Sequence, residues 1–382
     1  MLLRSFILTG AVNGLFFILL LLTKERRSGA DKLLSFWMGL IAVQLFFYYD
    51  NLFAQPVLPI NFQIPFFATP LISSAVLYFY IKQLAFGEPF NWKSKLIHLL
   101  PYLLFNLGCF YIYYTGKNAL VLANGFPHFS SGVNKSMTYI LTGLLALIPG
   151  YYSFAALFLL LKYQKVLPDN YSFTERISLN WLKWMVIALL TLFTGLFILI
   201  KYGRSLGWVD HQNLFAVVGA ILTLYVFFIG FLGFRQQSFN KADVQSLPVT
   251  VEEPLSSYKN SGLNEARLEE LYNILVLHMV QQQPYLEDTL TLRTLAMQLN
   301  ITPNQLSQVI NQKTESNFFT FINSYRVEEV KTKLTDPAMA HYSILSIAFD
   351  CGFRSKSAFN KIFKEATGLT PAEYQNTANN KV

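Results

Sequence analysis

Two stretches near the carboxyl end of this 382-residue chain decide its fold. Residues 291–312 read TLRTLAMQLNITPNQLSQVINQ, and residues 343–364 read SILSIAFDCGFRSKSAFNKIFK. In the first stretch, apolar residues recur at the i, i+3, i+4 and i+7 positions of a helix, stop at a short turn, and then resume. Thr291 is a suitable N-cap for the first helix, and Pro303 suits the first turn of the second. The pattern predicts a helix-turn-helix.

The second stretch repeats the first, with one residue added near its turn. Seven positions match at an offset of 52 residues, and three more match at an offset of 53. The matched positions of the second unit are Ser343, Ile344, Ile347, Ala348, Cys351, Gly352, Phe353, Phe359, Ile362 and Phe363. Residues 318–334 have the pattern of one amphipathic helix, which would fix the spacing of the two units. A further amphipathic helix over 263–281, ended by Pro284, precedes them.

The second unit resembles the signature of a known family. Residues 347–364 and the following GLTPAEY at 368–374 are similar nearly throughout to the signature of the AraC/XylS family of transcription regulators. The resemblance covers 263–376, about 30% of the chain. One departure is Glu315, because the family often has Gly after the first recognition helix. The resemblance implies a DNA-binding domain with two helix-turn-helix units.

The second helix of each unit is expected to enter the major groove of double-stranded DNA. In the first unit, the side chains facing away from the apolar positions are mostly amides, which can pair with adenine: Asn304, Gln305, Gln308, Asn311 and Gln312. In the second unit they are mostly cationic and can read guanine or hold phosphate: Arg354, Lys356, Ser357, Asn360, Lys361 and Lys364. With a rigid linking helix, one domain would address two groove segments ~34 Å apart. The alternative for each residue is an ordinary solvated helix face.

The charge balance limits the expected affinity. Residues 286–376 hold nine basic and nine acidic residues, so the domain is neutral. A single domain should therefore bind weakly and with a modest salt dependence. Two chains at paired promoter sites would bind more tightly through effective concentration, so a homodimer is a candidate partner state. RNA polymerase is a further candidate partner of such a regulator.

Residues 1–235 have the composition of a membrane protein. The whole chain is 53% hydrophobic and 14% charged, whereas soluble domains carry about 25% charged residues. A bilayer core needs about 20 apolar residues in a helix. The predicted spans are 5–23, 33–50, 64–82, 97–115, 138–161, 184–201 and 213–234. Prolines break 51–63, which we interpret as an outer loop.

Basic residues in the predicted loops indicate the orientation. Loops 24–32, 82–96 and 162–183 hold 11 Lys and Arg, whereas the N-terminal end and the alternate loops hold 5. Positive charge favours the cytoplasmic side, so the amino terminus should lie outside and the carboxyl terminus inside. The expected location is the inner membrane of a bacterium. This half resembles bacterial membrane sensors that are fused to an AraC-type domain.

The membrane half shows no pattern typical of catalysis. The middle of each predicted span lacks Asp, Glu, Lys and Arg, which argues against a proton-coupled transporter. Cys109 and Cys351 can build neither a disulfide framework nor a cysteine-based zinc site, and no cofactor or metal is expected. Near the predicted span ends, Asp50, His98 and the group of Trp208, Asp210 and His211 could hold a ligand or anchor the interface. The outer loop 116–137 could close over a signal ligand, whose identity is unknown, or lie on the lipid.

The sequence therefore predicts an all-α protein with three parts. These are a seven-span sensor domain at 1–235, a flexible linker at 236–262 and a double helix-turn-helix domain at 263–382. The predicted function is a membrane-bound one-component transcription regulator that is not an enzyme. One alternative is a transporter or receptor whose tail docks a protein partner. Another is a membrane enzyme with a regulatory tail, for which paired catalytic residues in the spans were not found.

Overall fold

A computed structural model describes most of the chain. The described residues are 2–25, 27–52, 57–88, 90–115, 120–123, 126–129, 133–175, 177–202, 214–240 and 264–379. From position 241 onward, the predicted linker 236–262 lies outside the described residues.

The first part of the chain is a series of helices. Their bounds are α1 (Leu2–Leu22), α2 (Gly29–Asn51), α3 (Ile60–Phe67), α4 (Thr69–Phe86), α5 (Trp92–Lys95), α6 (Leu100–Thr115), α7 (Lys135–Asn170), α8 (Asn180–Tyr202) and α9 (Leu214–Asn240). A 3-10 turn, Leu96–Leu99, joins α5 to α6.

Several of these helices could cross a membrane. Within the described residues, six stretches are long and apolar enough: Leu2–Leu22, Gly29–Asn51, Ile60–Phe86, Trp92–Thr115, Lys135–Asn170 and Ala216–Phe234. In α8, Asn180–Gly195 is a shorter apolar stretch. Each of the seven predicted spans overlaps one of these stretches.

Helix ends differ from the predicted span ends. Ile60 begins α3 inside the predicted outer loop, and the helical path is interrupted at Ala68 before Pro70 starts α4. Proline has no N–H to donate, so it fits the first turn of a new helix better than the interior of a continuous one. α7 continues to Asn170, nine residues past the predicted end at 161. Hydropathy identifies only the apolar part of a helix. Because a helix can continue into polar sequence, its end is not fixed by the end of the apolar stretch.

The all-α prediction is confirmed for most of the described residues. The exception is an antiparallel hairpin of β1 (Leu120–Ala123) and β2 (Phe126–Phe129) in the predicted outer loop 116–137. In its register, Leu120 pairs with Phe129. The prediction missed this hairpin because each strand has only four residues, which is too short for a clear alternating pattern.

Two of the candidate ligand residues near span ends, Asp50 and His98, have structural partners, whereas the group at 208–211 lies outside the described residues. The Asp50 carboxylate accepts the backbone N–H of Val57 at 2.9 Å and that of Leu58 at 3.2 Å. It therefore links the end of α2 to Val57 and Leu58. The His98 ring is hydrogen-bonded to the Tyr152 hydroxyl. These contacts favour structural roles for both residues.

The C-terminal part consists of shorter helices. Their bounds are α10 (Glu265–Gln282), α11 (Leu292–Gln298), α12 (Pro303–Thr314), α13 (Phe318–Thr335), α14 (Ile344–Asp350), α15 (Lys356–Thr367) and α16 (Pro371–Asn379). Short 3-10 turns lie at Pro284–Leu286 and Pro337–Met339.

The chain divides into two compact units. The first comprises Met1–Leu161 and Leu179–Val249, and the second comprises Lys162–Ser178 and Thr250–Val382. The second unit thus includes part of the predicted loop 162–183, which the three-part division of the sequence assigned to the membrane half.

Two apolar cores hold the C-terminal helices together. The first packs α10, α11, α12 and the start of α13 around Leu275, Leu295 and Ile310. The second packs the end of α13 with α14 and α15 around Val330, Ala348 and Phe363. Helix α13 contributes to both cores, which confirms its predicted role as the linking helix. Every buried residue of both cores lies between 268 and 363, so this part of the chain has the apolar contacts needed to fold alone.

Glu315 ends the first recognition helix in an unfavourable conformation. It follows α12 with φ of 50°, in the left-handed region that favours glycine. We expect Glu315→Gly to raise the free energy of unfolding by about 0.5–1 kcal/mol, because the strain of a side chain there exceeds the entropy cost of glycine. Urea unfolding of a 257–382 fragment, followed by circular dichroism, measures this. Glu315→Ala is the control: it removes the charge and keeps the strain, so an equal gain would contradict the prediction.

Candidate nucleic-acid interface

The two helix-turn-helix units share one backbone geometry. Asn300 (φ 54°) and Gly352 (φ 86°) occupy equivalent places in the two turns, both in the left-handed region. In each unit, the next residue donates its N–H to the alanine five positions earlier, at 3.0 Å in the first unit and 3.1 Å in the second. This agreement confirms the predicted repeat. Only glycine fits at 352, because an added Cβ would lie 2.5 Å from the Tyr285 carbonyl oxygen.

The N-caps of the recognition helices locate the added residue. Thr302 caps α12 and Ser355 caps α15, each accepting a backbone N–H three residues later. These caps are 53 residues apart, whereas the turns before them align at 52. Arg354 is therefore the added residue, and it lies directly before the second recognition helix.

The second recognition helix presents a polar, cationic face. Phe359 and Phe363 are buried in the core on the opposite side of α15. Five of the predicted contact residues are exposed: Lys356, Ser357, Asn360, Lys361 and Lys364. The Lys361 ammonium approaches the exposed Glu365 carboxylate only to 3.9 Å, so this pair contributes little.

A groove beside this face brings several helix starts together. It has a volume of about 680 Å³, and its lining includes Ser343, Lys356, Lys364 and Thr370. Ser343 caps α14, and Thr370 directly precedes α16. Free backbone N–H groups and the helix dipole favour anions at such ends. The groove therefore offers the donors and positive charge that suit a phosphate backbone.

Two residues of the GLTPAEY motif shape the end of this groove. Gly368 ends α15 with φ of 77° in the left-handed region, which reverses the chain toward α16. The Glu373 side chain accepts the backbone N–H of Thr370 at 2.8 Å. This hydrogen bond lowers the pKa of the Glu373 carboxyl. The motif thus fixes the chain direction and caps the last helix.

Arg354 differs from its prediction. Its side chain is only 19% exposed, with Nε 3.5 Å from the Asp288 carboxylate and the guanidinium 4.6 Å above the Phe173 ring. The helical pattern placed it outward, but it precedes the helix and packs under neighbouring segments. In this conformation Arg354 is engaged within the protein.

The amide face of the first recognition helix is only partly available. Asn304 is exposed, whereas the Gln305 side chain accepts the Thr302 N–H at 3.0 Å in a capping box. Asn311 is half-buried, with its amide 3.4 Å from the Ser307 hydroxyl. Gln308 is only 5% exposed, so the expectation of an accessible face is wrong at this position. Helical periodicity gives the direction of a side chain but does not show what covers it.

A buried arginine on the linking helix was not among the predicted site residues. Arg326 is 1% exposed, and its guanidinium donates to the carbonyl oxygens of Tyr285 and Glu287, both at 2.8 Å. It also donates to the Ser172 carbonyl at 3.1 Å and to the Ser172 hydroxyl at 3.2 Å. The sequence signal for it is a charged residue four positions from each of the buried Ile322 and Val330, and therefore on the same buried face of α13.

Burial affects two titratable groups around this cluster. It lowers the pKa of the Arg326 guanidinium to about 10, against the opposing effect of Asp288. Arg326 therefore still carries its charge at neutral pH. Burial also raises the pKa of the Cys351 thiol to about 11, so this cysteine is unreactive at neutral pH. Among the described residues, no group of three His, Cys, Asp or Glu could hold a metal ion.

Comparisons with known proteins agree with this geometry. Residues 295–377 match the family model of a helix-turn-helix domain. The C-terminal segment is an AraC-type helix-turn-helix domain. No solved structure matches the chain significantly.

The similar relatives are transcription regulators and not enzymes. The uncharacterized HTH-type regulator YpdC of Escherichia coli K12 is 34% identical over 85 residues, which are 22% of this chain and 29% of that protein. YtdP of Bacillus subtilis 168, also an uncharacterized HTH-type regulator, is 28% identical over 100 residues, or 26% of this chain and 12% of that one. The melibiose operon regulatory protein of Escherichia coli K12 is 25% identical over 128 residues, which are 34% of this chain and 40% of that protein. The matched region thus spans well under half of each relative.

Proposed function

We propose that this protein is a membrane-bound one-component transcription regulator. In this proposal, the apolar helices of 1–235 form a seven-span sensor in the inner membrane of a bacterium. A signal received there controls sequence-specific binding of promoter DNA by the AraC-type domain in the cytoplasm.

One observation carries the proposal. Within its described residues, the chain holds six helical stretches that are long and apolar enough to cross a membrane, and it also holds a helix-turn-helix domain with a lysine-bearing recognition helix. A domain of this type acts on DNA, and DNA is inside the cell. The basic loops predicted between the spans favour the orientation that places the domain there.

The two recognition helices are proposed to make different kinds of contact with DNA. The lysine face of α15 would hold the phosphate backbone, and Asn304, which is exposed at the start of α12, would read a base in the first unit. Gln305 and Asn311 would support it. With α13 between them, the units would meet two groove segments about one helical turn apart.

Selection of bound duplexes from a random library by the 257–382 fragment tests this proposal. We expect an enriched motif with two parts about one helical turn apart, at ~34 Å. A fragment that enriches no motif, both alone and as a forced dimer, would favour a protein-docking tail, for which the neutral charge of the domain is the supporting observation. A carboxyl terminus outside the cytoplasm in a reporter-fusion assay would also contradict the proposal.

A further inference from the structure

The C-terminal domain has a partner from elsewhere in its own chain. Segment 171–178 follows α7 and belongs to the same compact unit as the helix-turn-helix domain. Its residue 176 is outside the described residues. Tyr171, Phe173 and Ile177 are buried, whereas Glu175 is exposed.

The amino end of this segment is fixed at the first helix-turn-helix unit. Tyr171 forms an antiparallel bridge with Thr291, the N-cap of α11. The Ser172 hydroxyl donates to the Leu290 carbonyl at 2.7 Å. The Ser172 carbonyl in turn accepts from the amide of Asn323 at 3.2 Å, beside its bond to Arg326. The buried guanidinium thus joins the segment to the linking helix.

The carboxyl end of the segment is held at α7. The Tyr163 hydroxyl donates to the Ile177 carbonyl at 2.9 Å, and the Gln164 amide donates to the Ser178 carbonyl at 2.7 Å. Between these two attachments, Glu175 is placed over the second recognition helix. The segment is continuous in sequence with α7 before it and α8 after it.

Glu175 occupies the start of the second recognition helix. Its carboxylate accepts hydrogen bonds from the hydroxyls of Ser355 and, at 3.1 Å, Ser357. Both serines lie at the N-terminus of the 12-residue α15. Phe173 meanwhile packs on the guanidinium of Arg354. The segment therefore engages three polar residues at the start of this helix, Arg354, Ser355 and Ser357.

The chemistry of this contact matches that of a DNA phosphate. Hydroxyls, a helix N-terminus and an arginine are the groups that proteins use to hold backbone phosphates. The Glu175 carboxylate is also an anion, and one of its oxygens accepts from both serine hydroxyls. A phosphate and this carboxylate cannot occupy the two serine hydroxyls together.

We propose that segment 171–178 is an autoinhibitory element whose Glu175 carboxylate takes the place of one DNA phosphate at the start of α15. This inference rests on the proposed DNA-binding function. Because α7 and α8 flank the segment, a movement of these helices would withdraw Glu175 and release Ser355, Ser357 and Arg354 for DNA. The loop thereby links the membrane helices to the DNA site without a separate signalling domain.

The test compares the whole chain in lipid nanodiscs with its Glu175→Gln variant. The probe is a mixed-sequence duplex at low salt, measured by fluorescence anisotropy. Losing one charge-assisted contact should raise the affinity of the whole chain roughly 5- to 30-fold. The 257–382 fragment, which lacks the segment, should bind more tightly than the wild-type chain. Asp169→Asn is the matched control, because it removes one negative charge from the last turn of α7.

A second variant tests the same contact by locking it. With Glu175→Cys and Ser357→Cys joined by a short thiol cross-linker, duplex binding should fall, and a cleavable linker should restore it on reduction. Equal binding by the locked and released forms would overturn the autoinhibition. If the fragment binds the duplex while Glu175→Gln and wild type bind equally, this inference alone fails. If the fragment itself does not bind, the proposed function fails with it.

Discussion

Replacing Lys356, Lys361 and Lys364 together with alanine is expected to weaken duplex binding by the 257–382 fragment roughly 100- to 1,000-fold at 0.1 M salt. All three ammonium groups lie on the exposed face of α15, opposite the buried phenylalanines. Each phosphate contact that is lost leaves condensed counterions on the DNA. The slope of log affinity against log salt should therefore become shallower by about 2 to 3.

A matched variant distinguishes the effect of losing the lysine face of α15 from the effect of losing net positive charge. Three other lysines of the domain pair with acidic neighbours away from α15: Lys313, Lys331 and Lys333. Their triple alanine variant removes the same charge and should change affinity much less. Equal losses in the two triple variants would show that only net charge matters, and they would contradict a defined phosphate-binding face.

Arg326→Ala is expected to have the largest effect on stability. In the 257–382 fragment, the change removes the donor to the buried Tyr285 carbonyl and to the partly buried Glu287 carbonyl. An unsatisfied buried polar group costs about 1–3 kcal/mol, so we expect a loss of about 2–4 kcal/mol. For a domain of this size the melting temperature should fall by about 10 °C or more, measured by circular dichroism.

Two further variants define the cause of that loss. Arg326→Lys keeps the charge but not the planar fork of donors, so it should recover only part of the stability. Arg267→Ala removes an exposed arginine whose ion pair with Glu270 lies on the surface of α10, and it should cost under about 0.5 kcal/mol. An Arg326→Ala loss as small as that of Arg267→Ala would contradict the structural role of the buried guanidinium.

The local elements of the DNA-binding part could be predicted from sequence. The apolar spacing, the N-cap residues and the internal repeat are short-range patterns, and each appears in the structure as a helix, a cap or a shared turn. The exposed lysines of α15 follow from the same periodicity. For residues 1–235, the length and hydropathy of the apolar stretches located the helices, while the helix ends at Asn170 and Asn240 extend beyond the apolar stretches.

The tertiary structure decided the accessibility of the site. Periodicity placed Gln308 and Arg354 outward, but one is covered and the other packs on Phe173. The Glu175 carboxylate lies 182 residues before Ser357 in the chain, yet its oxygen meets the serine hydroxyl. A carboxylate in a polar loop has the same local pattern whether it is solvated or bound.

The sequence by itself therefore determined the type of domain, the two recognition helices and the apolar helices that precede them. Only the tertiary structure showed which segment lies at the start of the second recognition helix. The physical reason is range: helix periodicity and capping are set by neighbours within a few residues. Occupation of the α15 start by Glu175 depends on a contact between distant segments, and on the buried Arg326 that holds Ser172 in place.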